Sequence, residues 1–82
     1  MENTIRKKII ASSAAYILGM QPQVEIQGTS EQVQKFKEVL DASKNLYSVL
    51  QEGTYEDIED GLRNKKELAK NFYQEFGWQW PF

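Results

Sequence analysis

Apolar residues recur every three or four positions over two long stretches of this 82-residue chain, a spacing that gathers them on single faces of helices. The clearest stretch predicts a helix over about 30–51. Val33, Phe36, Leu40, Tyr47 and Leu50 form its main stripe, interrupted only by Ser43, and Val39, Ala42, Leu46 and Val49 form a second row beside it. A face that wide exceeds what one neighbouring helix covers, so this helix is predicted to be central and buried on two sides from about Val39 to Leu50. Thr29 and Gln32 stand in capping-box relation at its start, Glu31 suits the first turn, and Gly53 ends it. Thr54 and Asp57 open a further helix over about 55–76. Its inward stripe is Tyr55, Ile58, Leu62, Ala69, Phe72 and Phe76, flanked by Leu68 and Tyr73. Gly61 inside it costs about 1 kcal/mol relative to alanine. It marks a candidate kink, since Asn64 and Glu67 are placed to cap a fresh helix. Gly77 is a natural stop.

A first helix is predicted over about 4–19, with Ile5, Ile9 and Tyr16 on one side and Ile10, Ile17 and Leu18 nearby. Ala11, Ala15 and Gly19 recur at a spacing of four. A stripe with so little side chain lets another helix approach closely, either within the protomer or as a seam between protomers. Pro22 blocks easy continuation. Val24-Glu25-Ile26-Gln27 then alternates, predicting an extended segment at about 23–27 that packs Val24 and Ile26 inward. A lone strand cannot satisfy its own backbone, so it would need the C-terminal tail or a second chain as partner. In the tail, 77–82, extended backbone puts Trp78, Trp80 and Phe82 in one row with Gln79 facing away, and Pro81 favours that conformation in its predecessor. A free tail this aromatic invites aggregation, so it is expected to dock on its own core, on a symmetry mate or on another protein. The fold class is therefore mainly α: one domain, 1–82, of three helices with a short extended segment and an extended aromatic tail.

A chain this short buries only about 60 % of the surface its unfolded form exposes. It contains no cysteine and no histidine, which removes disulfides and zinc sites of the usual kind and leaves self-association as the natural compensation. A homo-oligomer is expected, and no cofactor. The net charge is −2, so no global basic field exists to hold nucleic acid. The Ile9 to Met20 stretch is too short and too interrupted to span a bilayer, and Ser12 and Ser13 break its resemblance to a signal peptide. A cytoplasmic location is expected.

Catalytic readings find no histidine base, no cysteine nucleophile and no glycine-rich phosphate loop. The one dense acidic run, Glu56, Asp57, Glu59 and Asp60, lies where carboxylates complement the helix dipole, and Glu59 is placed to pair with Arg63 one turn on. No catalytic residue and no metal ligand is assigned. Arg63, Lys65, Lys66 and Lys70 form one basic patch, and Arg6, Lys7 and Lys8 a second. Each is either charge balance on a solvated helix or part of an anion-binding surface, to which Tyr16 would add an aromatic face. Two separated patches on an acidic chain suit a small anionic ligand better than a long polyanion.

The run VEIQGTSEQVQKFKEVLDASKNLYSVL followed by KKELAKNFYQEFGWQWPF resembles the small, cysteine-free proteins encoded by tailed bacteriophages. Such a resemblance implies a virion assembly or decoration component, an inhibitor of a host factor, or an anti-defence protein that sequesters cyclic nucleotide signals. It would place the protein in the host cytoplasm or the virion, and it carries over no functional residue. Together these readings predict a non-enzymatic interaction protein that self-associates and acts by binding. Its expected partner surfaces are the Ala11/Ala15/Gly19 stripe and the tail at Trp78, Trp80 and Phe82. The alternative is an oligomer that sequesters an anionic nucleotide.

Overall fold

The structure, a computed structural model, describes residues 2–82. Three helices follow one another: α1 Glu2–Ile17, α2 Ser30–Glu52 and α3 Tyr55–Phe76. Both predicted capping boxes form. The Gln32 amide donates to Thr29 Oγ1 at 3.1 Å while the Thr29 amide donates to Gln32 Oε1 at 3.0 Å. Thr54 and Asp57 repeat the exchange at 3.1 and 3.2 Å. Each box satisfies amides that a helix start leaves without partners. Helix α1 stops at Ile17, two residues short of the expected end. The Met20 amide donates to the Ala15 carbonyl and the Gly19 amide to that of Tyr16, with Gly19 left-handed at φ 79°. This is the Schellman arrangement, in which glycine lies just beyond the helix.

Helices α2 and α3 form an antiparallel hairpin across the short joint at Gly53 and Thr54, and they pack far more extensively than α1 and α2 do. Gly61 is the reason they come so close. A Cβ there would sit 3.2 Å from Leu46 Cδ1 and 3.5 Å from Val49 Cγ2. The expected kink is absent: α3 runs unbroken through Gly61, which serves as a contact point. Helix α1, the connector after it and the tail lie over this hairpin as a second layer. Their shared core is Ile17, Val24, Phe36, Val39, Leu40, Phe72 and Trp80.

That second layer does not cover the whole hairpin. Burial on α2 runs from Phe36 to Leu46, one turn earlier than the expected Val39 to Leu50, and Tyr47 and Leu50 are exposed. On α3, Tyr55 and Leu62 are exposed as well, although the spacing put them on the inward stripe. The physical reason is length. At 1.5 Å per residue α1 is about 24 Å long and α2 about 34 Å, so periodicity marks a face longer than the fold covers.

Val24 is buried and Ile26 half-buried, as alternation predicts, yet no strand forms among the described residues. The expected ladder between 23–27 and the tail is absent, and the tail is held by side chains instead. Ser13 is wholly buried on α1 with no hydrogen-bond partner for its hydroxyl among the described residues. No helix among them is long and apolar enough to cross a membrane.

Candidate functional site

The tail folds back on its own protein. Trp80 is 8 % exposed, meets Phe36 and Phe72 edge-on with ring centres 5.9 and 5.1 Å away, and touches Phe82 at 5.5 Å. Its indole N–H donates to Ser43 Oγ at 2.8 Å, and that hydroxyl donates onward to the Val39 carbonyl at 2.9 Å. The single polar residue in the α2 stripe is thus the anchor for the tryptophan. Trp78 packs edge-on against Phe72 at 5.0 Å, and Lys65 Nζ donates to the Phe82 carbonyl at 2.8 Å. Of the three docking alternatives the chain adopts the intramolecular one: Trp78, Trp80 and Phe82 all pack on their own fold. Trp80 faces inward, and Trp78 and Phe82 are partly buried.

The small-residue stripe is not the packed face of α1. Ala11 and Gly19 are exposed and only Ala15 is partly covered. Ser13 and Ile17, two positions round from the stripe, enter the interior. Nothing lies within 4 Å of where a Gly19 Cβ would stand.

The basic residues are likewise dispersed rather than gathered. Arg63 pairs with Asp60 at 3.1 Å, not with Glu59, and both side chains are well exposed. Lys65 holds the tail. Lys66, Lys70 and Lys7 are exposed on their helices. The Tyr16 hydroxyl donates to Asp41 Oδ1 at 2.7 Å, so it faces a carboxylate, which repels the anion expected beside it. Lys44 caps this corner, with its ammonium 4.3 Å from the Tyr16 ring centre and bonded to the Tyr16 carbonyl. Sequence reasoning missed Lys44 and Asp41, whose i, i+3 spacing on α2 was the available signal.

The hydrogen bond to Asp41, then burial, then the Asp41 charge raise the Tyr16 pKa above the ordinary value near 10. The unfolded chain therefore loses this proton first as pH rises. The bond's contribution to stability is complete below pH 10 and disappears as pH climbs through the raised value. Absorbance titration of the parent against Tyr16→Phe checks this. The component missing from the variant should titrate above 10, and a component at or below 10 contradicts the bond.

Arg6 is a cation that the fold sets against an aromatic ring in a concave surface. Its guanidinium lies over the Trp78 ring, 5.3 Å from the centroid, at the side of an open groove of about 730 Å³. Ile5 and Ile9 of α1, Ile26 of the connector, and Phe76 with Trp78 wall the groove, while Lys8 and Glu25 carry its other charges. Three elements converge here: α1 supplies cations and isoleucines at i, i+3 and i+4 spacing, alternation in the connector turns Ile26 inward, and the left-handed Gly77 (φ 79°) swings Trp78 beneath Arg6. A guanidinium over an aromatic face is attracted by the ring while its N–H donors stay available for a carboxylate or phosphate. The volume is that of an ordinary ligand site. The N-terminal cluster was legible in sequence, but its meeting with Trp78 depends on the tail reversing direction.

Compared with protein-family models, with curated proteins and with solved structures, the chain matches none.

Proposed function

We propose that this protein is a non-enzymatic interaction module that self-associates and acts by binding, and that the Arg6–Trp78 groove receives its partner. The observation that carries this reading is a guanidinium lying over an indole ring in a groove whose walls are half apolar and half polar. Isoleucine and aromatic walls suit apolar side chains, and the arginine edge suits one carboxylate beside them. The partner is therefore a protein segment that presents apolar residues flanked by Asp or Glu. The resemblance to small tailed-phage proteins adds a setting to the proposal, a virion or host-takeover component in the host cytoplasm.

Selection from a random displayed-peptide library tests it. Binders should share leucine, isoleucine or phenylalanine next to an acidic residue, and Arg6→Glu should abolish their binding while leaving helicity unchanged. Binders indifferent to charge, or binding that survives Arg6→Glu, would contradict it.

A second reading is that the same corner sequesters an anionic nucleotide, favoured by Arg6 over an indole ring with Lys8 on the same groove. Glu25 on the same groove opposes a compact anion with several charges. A rise of several degrees in melting temperature with any cyclic nucleotide would favour this reading over the first.

A further inference from the structure

The second layer leaves the far half of the hairpin bare, and four large apolar side chains stand exposed on it among polar neighbours. Along α2, Ser43, Tyr47 and Leu50 follow at spacings of four and three; along α3, Leu62 lies three before Lys65. Ser43 and Lys65 are the residues that bond the tail. Tyr47, Leu50 and Leu62 therefore continue the same trough beyond Phe82, with Tyr55 one further double turn along α3. Tyr55, Leu50, Leu62 and Tyr47 keep 76, 56, 47 and 36 % of their surface exposed.

We propose that this distal trough is the surface of self-association, lapped face to face with the same trough of a second copy about a two-fold axis near Leu62. The proposal rests on the self-associating part of the reading above and names its surface. Three observations select a second copy as the occupant. The first is shape: a hairpin covered at one end and bare at the other is a step, and two steps fit together by a half-turn, each filling the layer the other lacks. The second is area. The exposed parts of these four side chains amount to roughly 400 Å² of surface. A stable dimer needs about 800 Å² from each partner, a little over half of it apolar, so the patch supplies most of that apolar share.

The third is charge. Glu59 and Lys66 lie about 60° and 40° round the helix from Leu62 on the same flank, at about 100° per residue. Neither takes part in an ion pair among the described residues. An axis near Leu62 sets α3 antiparallel to its counterpart, and Glu59 then meets Lys66 of the partner subunit, twice over. A partner of one charge sign would leave either Glu59 or Lys66 facing its like. A copy of the same chain matches both, as an isologous contact requires.

Sedimentation equilibrium on the intact chain tests the proposal. The parent should run at twice its 9.5 kDa mass at micromolar concentration. Leu50→Lys with Leu62→Glu should weaken the dimer by roughly 100-fold or more with circular dichroism unchanged, both residues being exposed in the protomer. Glu59→Lys alone and Lys66→Glu alone should each weaken it by roughly fivefold, and the double exchange should restore it. A monomeric parent would overturn the proposal. So would a dimer indifferent to the leucine pair, or a double exchange no tighter than the singles. Arg6→Glu should leave the mass unchanged, which separates this surface from the groove.

Discussion

Trp80→Ala is expected to remove a large share of the protein's stability. Truncating a buried large aromatic costs about 3–5 kcal/mol, from lost transfer energy and the cavity left behind. A chain of this length has roughly 4–12 kcal/mol in total. Trp80 touches Phe36, Phe72 and Phe82, so a void at this point loosens α2, α3 and the tail together. The loss also takes the indole N–H from Ser43, whose hydroxyl still holds the Val39 carbonyl. Trp80→Phe separates the two contributions: it keeps much of the ring and loses the hydrogen bond, for about 1–2 kcal/mol. Urea denaturation followed by circular dichroism measures both. A Trp80→Ala variant within 1 kcal/mol of the parent would mean that the tail is laid on the surface and not built into the core.

Gly61→Leu is the second large effect. The helices meet where Gly61 lacks a side chain, and the Leu46 methyl already stands 3.2 Å from the position of a Cβ. A leucine must push α3 away from Leu46 and Val49 along the more extensive of the two helix contacts, for about 3 kcal/mol at the upper end of overpacking costs. Gly61→Ala is the control. Its Cβ meets the far end of a flexible side chain, and the helix gains about 1 kcal/mol in propensity. The alanine variant should melt within a few degrees of the parent and the leucine variant far below it. Equal melting of the two would show that the close approach at Gly61 does not hold the hairpin together.

Helix existence, both capping boxes and the whole extent of α3 were legible in the chain because local chemistry determines them: Thr29 with Gln32 and Thr54 with Asp57 act within three residues. The end of α1 was misread at Gly19 because glycine ends a helix from one position outside it, a distinction that spacing alone does not make. The inward stripe of α3 predicted Phe72 and Phe76 correctly and Tyr55 and Leu62 incorrectly. Periodicity reports which face is apolar, while coverage depends on how far α1 and the tail reach along the hairpin. The same limit applies to the candidate site. Arg6 and Trp78 were each singled out, yet their meeting is a tertiary event set by the turn at Gly77. Lys65 belonged to a basic patch in sequence and holds the Phe82 carbonyl in the fold, a contact across 17 residues that no local pattern announces.

The central claim is that a half-covered hairpin makes this a protein that works in pairs, and a native mass spectrum of the purified chain tests it most directly. The account predicts a species at twice 9.5 kDa that dissociates when Leu50 and Leu62 are made charged. A single-chain mass at every concentration sampled would contradict it.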